Sequence, residues 1–186
     1  MKRVLALLLF VLMLSGCGSG SKPLDQPLAL RKDIISSSGC SFTAKITADY
    51  IDVTYTFTVD CVADQDGTVR FTVTQPESIA GITGTVSPEG GKLTFDEHAL
   101  AFPVLADGEL SPVTGPYVLM KALRGGYING CGSDNDLTRV SVEDSYENNA
   151  LHLDVWLDKN NLPVQADIHW QGCRVLLLQL VDFKIL

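Results

Sequence analysis

The sequence predicts a mainly-β α+β domain, an antiparallel meander with a helix packed on one face. Three observations carry this. Apolar and polar residues alternate strictly through 41–49, 52–60, 68–74 and 151–157, with β-branched and aromatic residues on the apolar phase. A single window, PYVLMKALR at 116–124, has a broad helical apolar face. Turn-forming clusters such as Asp64-Gln65-Asp66-Gly67 and Pro88-Glu89-Gly90-Gly91 punctuate the rest.

The N-terminus is of another kind. Met1 to Cys17 reads MKRVLALLLFVLMLSGC. Two cations, an apolar run from Val4 to Leu14 and a small-residue end make the layout of a secretory leader. The run is too short for a bilayer core of about 30 Å, which needs about 20 apolar residues. Leu14-Ser15-Gly16-Cys17 resembles a bacterial lipobox, which implies a diacylglyceryl group on the Cys17 sulfur and cleavage just before it. The other reading is an ordinary leader with a chance cysteine. With a lipobox, residues 1–16 are the leader, 17–27 the lipidated cysteine and a flexible Gly/Ser tether, and 28–186 the folded domain. The protein then sits on the extracytoplasmic face of a cell membrane, held by acyl chains.

The chain has 186 residues, 14 basic and 22 acidic. Losing the leader removes Lys2 and Arg3, leaving 12 against 22, a net charge of −10 on 170 residues (186 − 16). That length suits one domain with a real core. The acidity excludes a nucleic-acid footprint and a polybasic lipid patch, so membrane attachment falls to the lipid. A monomer is expected.

Beyond Cys17 there are Cys40, Cys61, Cys131 and Cys173. An even number in an exported domain points to disulfides, with three connectivities open. Folding the first two strands at Tyr50-Ile51 pairs Phe42 with Val59, Ala44 with Phe57, Ile46 with Tyr55 and Ala48 with Val53. Cys40 then faces Cys61 within bonding range, and Cys131 is left for Cys173. The alternative is free thiols. The turn has no Asn-Gly pair to pin it, so a one-residue slip of register is the main risk to the first bridge.

The remaining elements follow in order. Pro27 to Ser38 is a weak helical pattern ending at Ser36-Ser37-Ser38-Gly39. Asp64 to Gly67 lacks the rest of a calcium loop and reads as a turn. Strands follow at 68–74, 82–86, 92–95 and 99–102. In the helix at 116–124, Pro116 suits the first turn, Arg124 the last, and Gly125-Gly126 the stop. Strands resume at 138–142, 151–157 and 164–170. The final stretch, 174–183, contains VLLLQLV and is predicted to be buried on both faces.

Several of these features together resemble the LolA-like lipoprotein-carrier fold that bacterial LolA, LolB and RseB share. They are the early alternating hairpin, Gln75-Pro76-Glu77 followed by Ile82-Thr83-Gly84 and Leu93-Thr94-Phe95, the mid-chain helix, and Trp156-Leu157-Asp158 with Leu162-Pro163-Val164 before the last strands. The resemblance spans about residues 28–186. It implies a curved antiparallel half-barrel with one to three helices on its concave side, and an apolar hollow that takes an acyl chain, a lipid or a lipoprotein. Tyr55, Phe57, Phe71, Phe95, Leu119 and Leu123 are the candidate lining. The departures are the membrane anchor and the small number of helices, which bears on the size of the hollow.

Enzyme chemistry finds no support. His98, His152 and His169 show no metal-binding spacing, there is no Gly-x-Ser-x-Gly elbow, and no Cys-x-x-Cys. No catalytic residue, metal or cofactor is expected. Asp134-Asn135-Asp136 reads as an acidic loop. Two functions remain: an anchored carrier with an open apolar hollow, or a cell-surface interaction domain with a filled core, meeting partners through its sheet edges or Trp156. Cavity volume separates them.

Overall fold

A computed structural model describes residues 24–50, 53–106, 109–147 and 150–186, together with backbone alone at 105, 106 and 109. The leader, Cys17 and most of the tether lie outside the described residues. No described helix is long and apolar enough to cross a membrane.

Helix α1 (Asp25–Ser36) leads into a sheet of β1 (Gly39–Tyr50), β2 (Val53–Asp64), β3 (Val69–Gln75), β4 (Thr83–Ser87), β5 (Gly90–Phe95) and β6 (His98–Phe102). A two-stranded ribbon, β7 (Leu105–Ala106) and β8 (Glu109–Leu110), precedes helix α2 (Gly115–Gly125). Strands β9 (Tyr127–Asp134), β10 (Leu137–Glu143), β11 (His152–Leu157), β12 (Pro163–Trp170) and β13 (Cys173–Ile185) complete it.

Eleven strands form one antiparallel sheet in the order β6-β5-β4-β3-β2-β1-β13-β12-β11-β10-β9. The two halves of the chain are joined where β13 pairs with β1. The sheet is curved and unclosed, with β6 and β9 as its edges. Register shifts interrupt the ladders between Ser41 and Thr43, Thr58 and Val59, Ser141 and Val142, Trp156 and Leu157, and Ile168 and His169. Such irregularities bend a strand and increase its twist.

The alternating phase goes inward. Ala44, Ile46, Ala48, Val59, Val73, Val140, Leu153, Val155, Ile168, Leu176 and Leu178 are buried in one cluster. Both helices lie on that face: α2 contacts β2, β10 and β13, and α1 contacts β1 and α2. On α2 the apolar stripe of Val118, Leu119, Met120, Ala122 and Leu123 is buried. Close approach to the sheet is made at Gly115, where an added Cβ would stand 3.2 Å from Leu176 and 3.3 Å from Leu178.

Arg31 locks the helices together. Its Nε donates to Leu123 O (2.9 Å) and its Nη2 to Gly126 O (2.7 Å), capping carbonyls that end α2. Arg124 likewise donates to Asp64 O (2.6 Å) and to Gln65 O, fastening α2 to the β2–β3 turn.

Three expectations are corrected. The first hairpin turns one residue later than predicted, which slips the pairing by two: Cys40 faces Ala63, and Cys61 faces Phe42. The two cysteines are diagonal neighbours, about 7–8 Å apart in a regular ladder, beyond the usual disulfide range of about 4.4–6.8 Å. Cys131 on β9 and Cys173 at the start of β13 are four strands apart, or about 19 Å at the usual strand spacing. All four are free thiols. Finally, β13 is not buried on both faces: Leu176, Leu178, Leu180 and Phe183 face the core, whereas Val181 is 57% exposed.

Candidate functional site

The six candidate lining residues do not share one wall. Phe57, Phe71, Leu119 and Leu123 are packed into the core, at 8% exposure or less. Tyr55 and Phe95 are 55% and 50% exposed. Tyr55 meets the edge of the Tyr50 ring at 6.0 Å. Trp156 is engaged within the fold, its Nε1 donating to Asp134 Oδ2 (2.7 Å) and the Arg139 guanidinium lying 5.7 Å from its ring centre.

An apolar groove of about 660 Å³ lies instead at the open rim, between the start of α1 and edge strand β9. Leu24, Asp25 and Leu28 form one wall; Ile128, Asn129, Gly130 and Cys131 form the other. The helix divides its apolar residues between two directions. Pro27, Leu30 and Ile34 enter the core. Leu24 and Leu28, one turn apart and so on one side, remain 42% and 49% exposed.

Gln26 holds this wall. Thr138 Oγ1 donates to Gln26 Oε1 (2.8 Å), and Asn161 Nδ2 donates to its backbone carbonyl (2.9 Å). The first turn of α1 is thereby pinned to the start of β10 and to the β11–β12 turn. Burial pushes the Cys131 thiol up from its ordinary range, which keeps it protonated and apolar in character.

A second hollow, about 710 Å³, lies across the outer face of strands β13 and β1 to β5. It has hydroxyls from Thr43, Thr72, Thr83, Thr85 and Thr94 and charges from Asp60, Arg70, Lys92, Asp182 and Lys184. That lining does not suit an apolar ligand. Sequence reasoning missed the rim groove because its β9 side carries no alternation; the i, i+4 pair of Leu24 and Leu28 was the one available signal.

No family model and no curated protein matches the chain. Solved structures do. It is similar to a LolA superfamily protein from Nitrosomonas europaea at 9% identity, covering 86% of this chain and 93% of that one, with a TM-score of 0.47. It is similar to lipoprotein LppX of Mycobacterium tuberculosis at 12% identity, covering 87% and 92%, with a TM-score of 0.41. It is also similar to LprF of Mycobacterium bovis at 13% identity, covering 89% and 95%, with a TM-score of 0.40.

Proposed function

We propose that this protein is a lipid-anchored, extracytoplasmic, non-catalytic binding protein that takes an acyl chain, free or on a lipid or lipoprotein, in the rim groove. The observation that carries the reading is the groove itself. Its volume of about 660 Å³ falls within the range of about 300–1,000 Å³ usual for ligand sites, and Leu24, Leu28 and Ile128 supply its surface. Its position adds support. Six residues lie between Cys17 and Leu24, so the seven steps of a fully extended tether reach at most about 25 Å. A lipidated Cys17 would keep the groove close to the bilayer, where acyl chains are found. No nucleophile paired with a base lines it.

The test is binding of a fluorescent fatty acid to the purified chain, with mass spectrometry of lipid extracted from it. Saturable binding that Leu28→Asp and Ile128→Asp each weaken at least tenfold supports the reading. No co-purified lipid and no saturable binding ends it.

A second reading rests on the other edge. Phe95 and Leu100 are 50% and 64% exposed at β5 and edge strand β6, a surface suited to a protein partner. Under that reading, substitutions at Leu100 alter association with envelope proteins while Leu28→Asp does not.

A further inference from the structure

The sheet ends in two unlike edges. On β9 the pairing with β10 skips Asn129, and the strand runs out in Asp134; bulges and charges are the usual guards of a free edge. Strand β6 carries neither. His98-Ala99-Leu100-Ala101-Phe102 holds no acid, lysine, arginine or proline, and it pairs with β5 without a register shift. Its first four residues are exposed. Leu100 is 64% exposed, and Phe95, on the same face of β5, is 50% exposed.

The hairpin decides which backbone groups of this edge are free. Asp96 and Glu97 both have positive φ, 45° and 65°. They join Phe95 to His98 as a two-residue turn, the type I′ form. Phe95 and His98 therefore make the hydrogen-bonded pair that closes the turn. By alternation Leu93 with Leu100 and Gly91 with Phe102 are hydrogen-bonded too. The N–H and C=O groups of Ala99 and Ala101 then point away from β5. Glu97, in the left-handed turn, and Pro103, which has no N–H, bound that free stretch.

We propose that β6 pairs antiparallel with β6 of a second copy of this chain, about a two-fold axis at Leu100. This rests on the second reading above, that the β6 edge takes a protein, and it names the protein. Register carries it. With the axis at Leu100, Ala99 of each copy faces Ala101 of the other, and every outward N–H and C=O of these alanines finds a partner. An axis at Ala99 or Ala101 would instead bring Glu97 or Pro103 into the ladder. The side chains agree with this register. Leu100 meets its twin as a non-hydrogen-bonded pair, the kind whose side chains approach most closely, and His98 lies opposite Phe102. Charge also favours this edge. The chain has 22 acidic and 14 basic residues, so two copies repel. Here they meet along an uncharged strand, and the two-fold sends the two Asp96-Glu97 turns to opposite ends of the seam. Such a contact uses the same patch on both copies and closes on itself.

Sedimentation equilibrium of the full chain in density-matched detergent tests the pairing. The mass should rise from one copy to two with concentration, and more readily with added salt, which screens the like charges. Leu100→Lys and Ala99→Pro should each weaken association at least tenfold. Neither should unfold the chain, because Leu100 is exposed and the Ala99 N–H makes no bond within the sheet. Leu28→Asp, in the rim groove, should leave association unchanged. Amide exchange gives an independent readout: Ala99 and Ala101 should exchange freely in dilute protein and become protected as it concentrates. One copy at every concentration, or a dimer in which those two amides stay unprotected, overturns the proposal. Envelope proteins that bind such a monomeric chain through Leu100 would leave the second reading standing; their absence would end both.

Discussion

Phe71 on β3 lies directly opposite Gly84 on β4, and its ring fills the place where a side chain at 84 would stand. Phe102 covers Gly91 in the same way, one hairpin further out. The ring of Phe71 is therefore packed onto the Gly84 backbone, and the residue is buried. Gly84→Val should cost about 1–3 kcal/mol through overpacking, read as a lower urea midpoint with unchanged slope. Combined with Phe71→Ala, the loss should be smaller than the sum of the two, because the truncation makes room for the new side chain.

Arg31 ties two helices that the chain places far apart. Burial lowers the proton affinity of its guanidinium from the ordinary value, but arginine remains charged. Arg31→Met keeps the apolar stem and abandons the carbonyls of Leu123 and Gly126. Hydrogen bonds from a charged group are worth about 1.5–3 kcal/mol, so the melting temperature should fall. Amide exchange should quicken first at 122–126. Arg31→Lys should recover only part, since one ammonium cannot reproduce the fork.

The thiols test the hairpin register. Burial pushes the Cys61 thiol far up and the Cys40 thiol up, so neither reacts in the folded protein. Cys173 is exposed and should label first with a maleimide. Cys131 should label more slowly, its rate rising about tenfold for each pH unit below its pKa, as the thiolate fraction does. Cys40 and Cys61 should label only on unfolding. Non-reducing peptide mapping should find neither a Cys40–Cys61 nor a Cys131–Cys173 bridge.

The anchor is testable at one atom. Cys17→Ser removes the sulfur that would carry the acyl chains. Radiolabelled palmitate should then be absent from the protein, and the chain should leave the membrane fraction, because none of its charge favours an anionic surface. Retention of label at an unchanged level would place the lipid elsewhere.

The first hairpin and the last strands show what was legible in the residues alone. Strict alternation specifies which side of a strand is buried, since a period of two admits only two faces. Phe42, Ala44, Ile46, Val59 and Phe71 could therefore be assigned inward before any coordinates were known, and all are buried. The helix at 116–124 was legible for the same kind of reason, a stripe at helical period between Pro116 and a pair of glycines. The hairpin's register was not. A two-residue slip preserves every face, so Cys40 opposite Cys61 and Cys40 opposite Ala63 satisfy the alternation equally. The turn after Tyr50 carries no residue that demands one geometry.

Strand β9 was not legible either. Tyr127 to Asp134 contains Gly130 and Gly132 and has little strand preference of its own; it is a strand because β10 presents it with an unpaired edge. The rim groove depends on that same tertiary step. Leu28 meets Ile128 only after distant segments are laid side by side. The sequence by itself determined the burial phase of most strands and the single strong helix, because those are local periodicities. Only the tertiary structure decided which cysteines lie apart, where apolar surface stays open and which polar groups converge, because strand order and register set those distances.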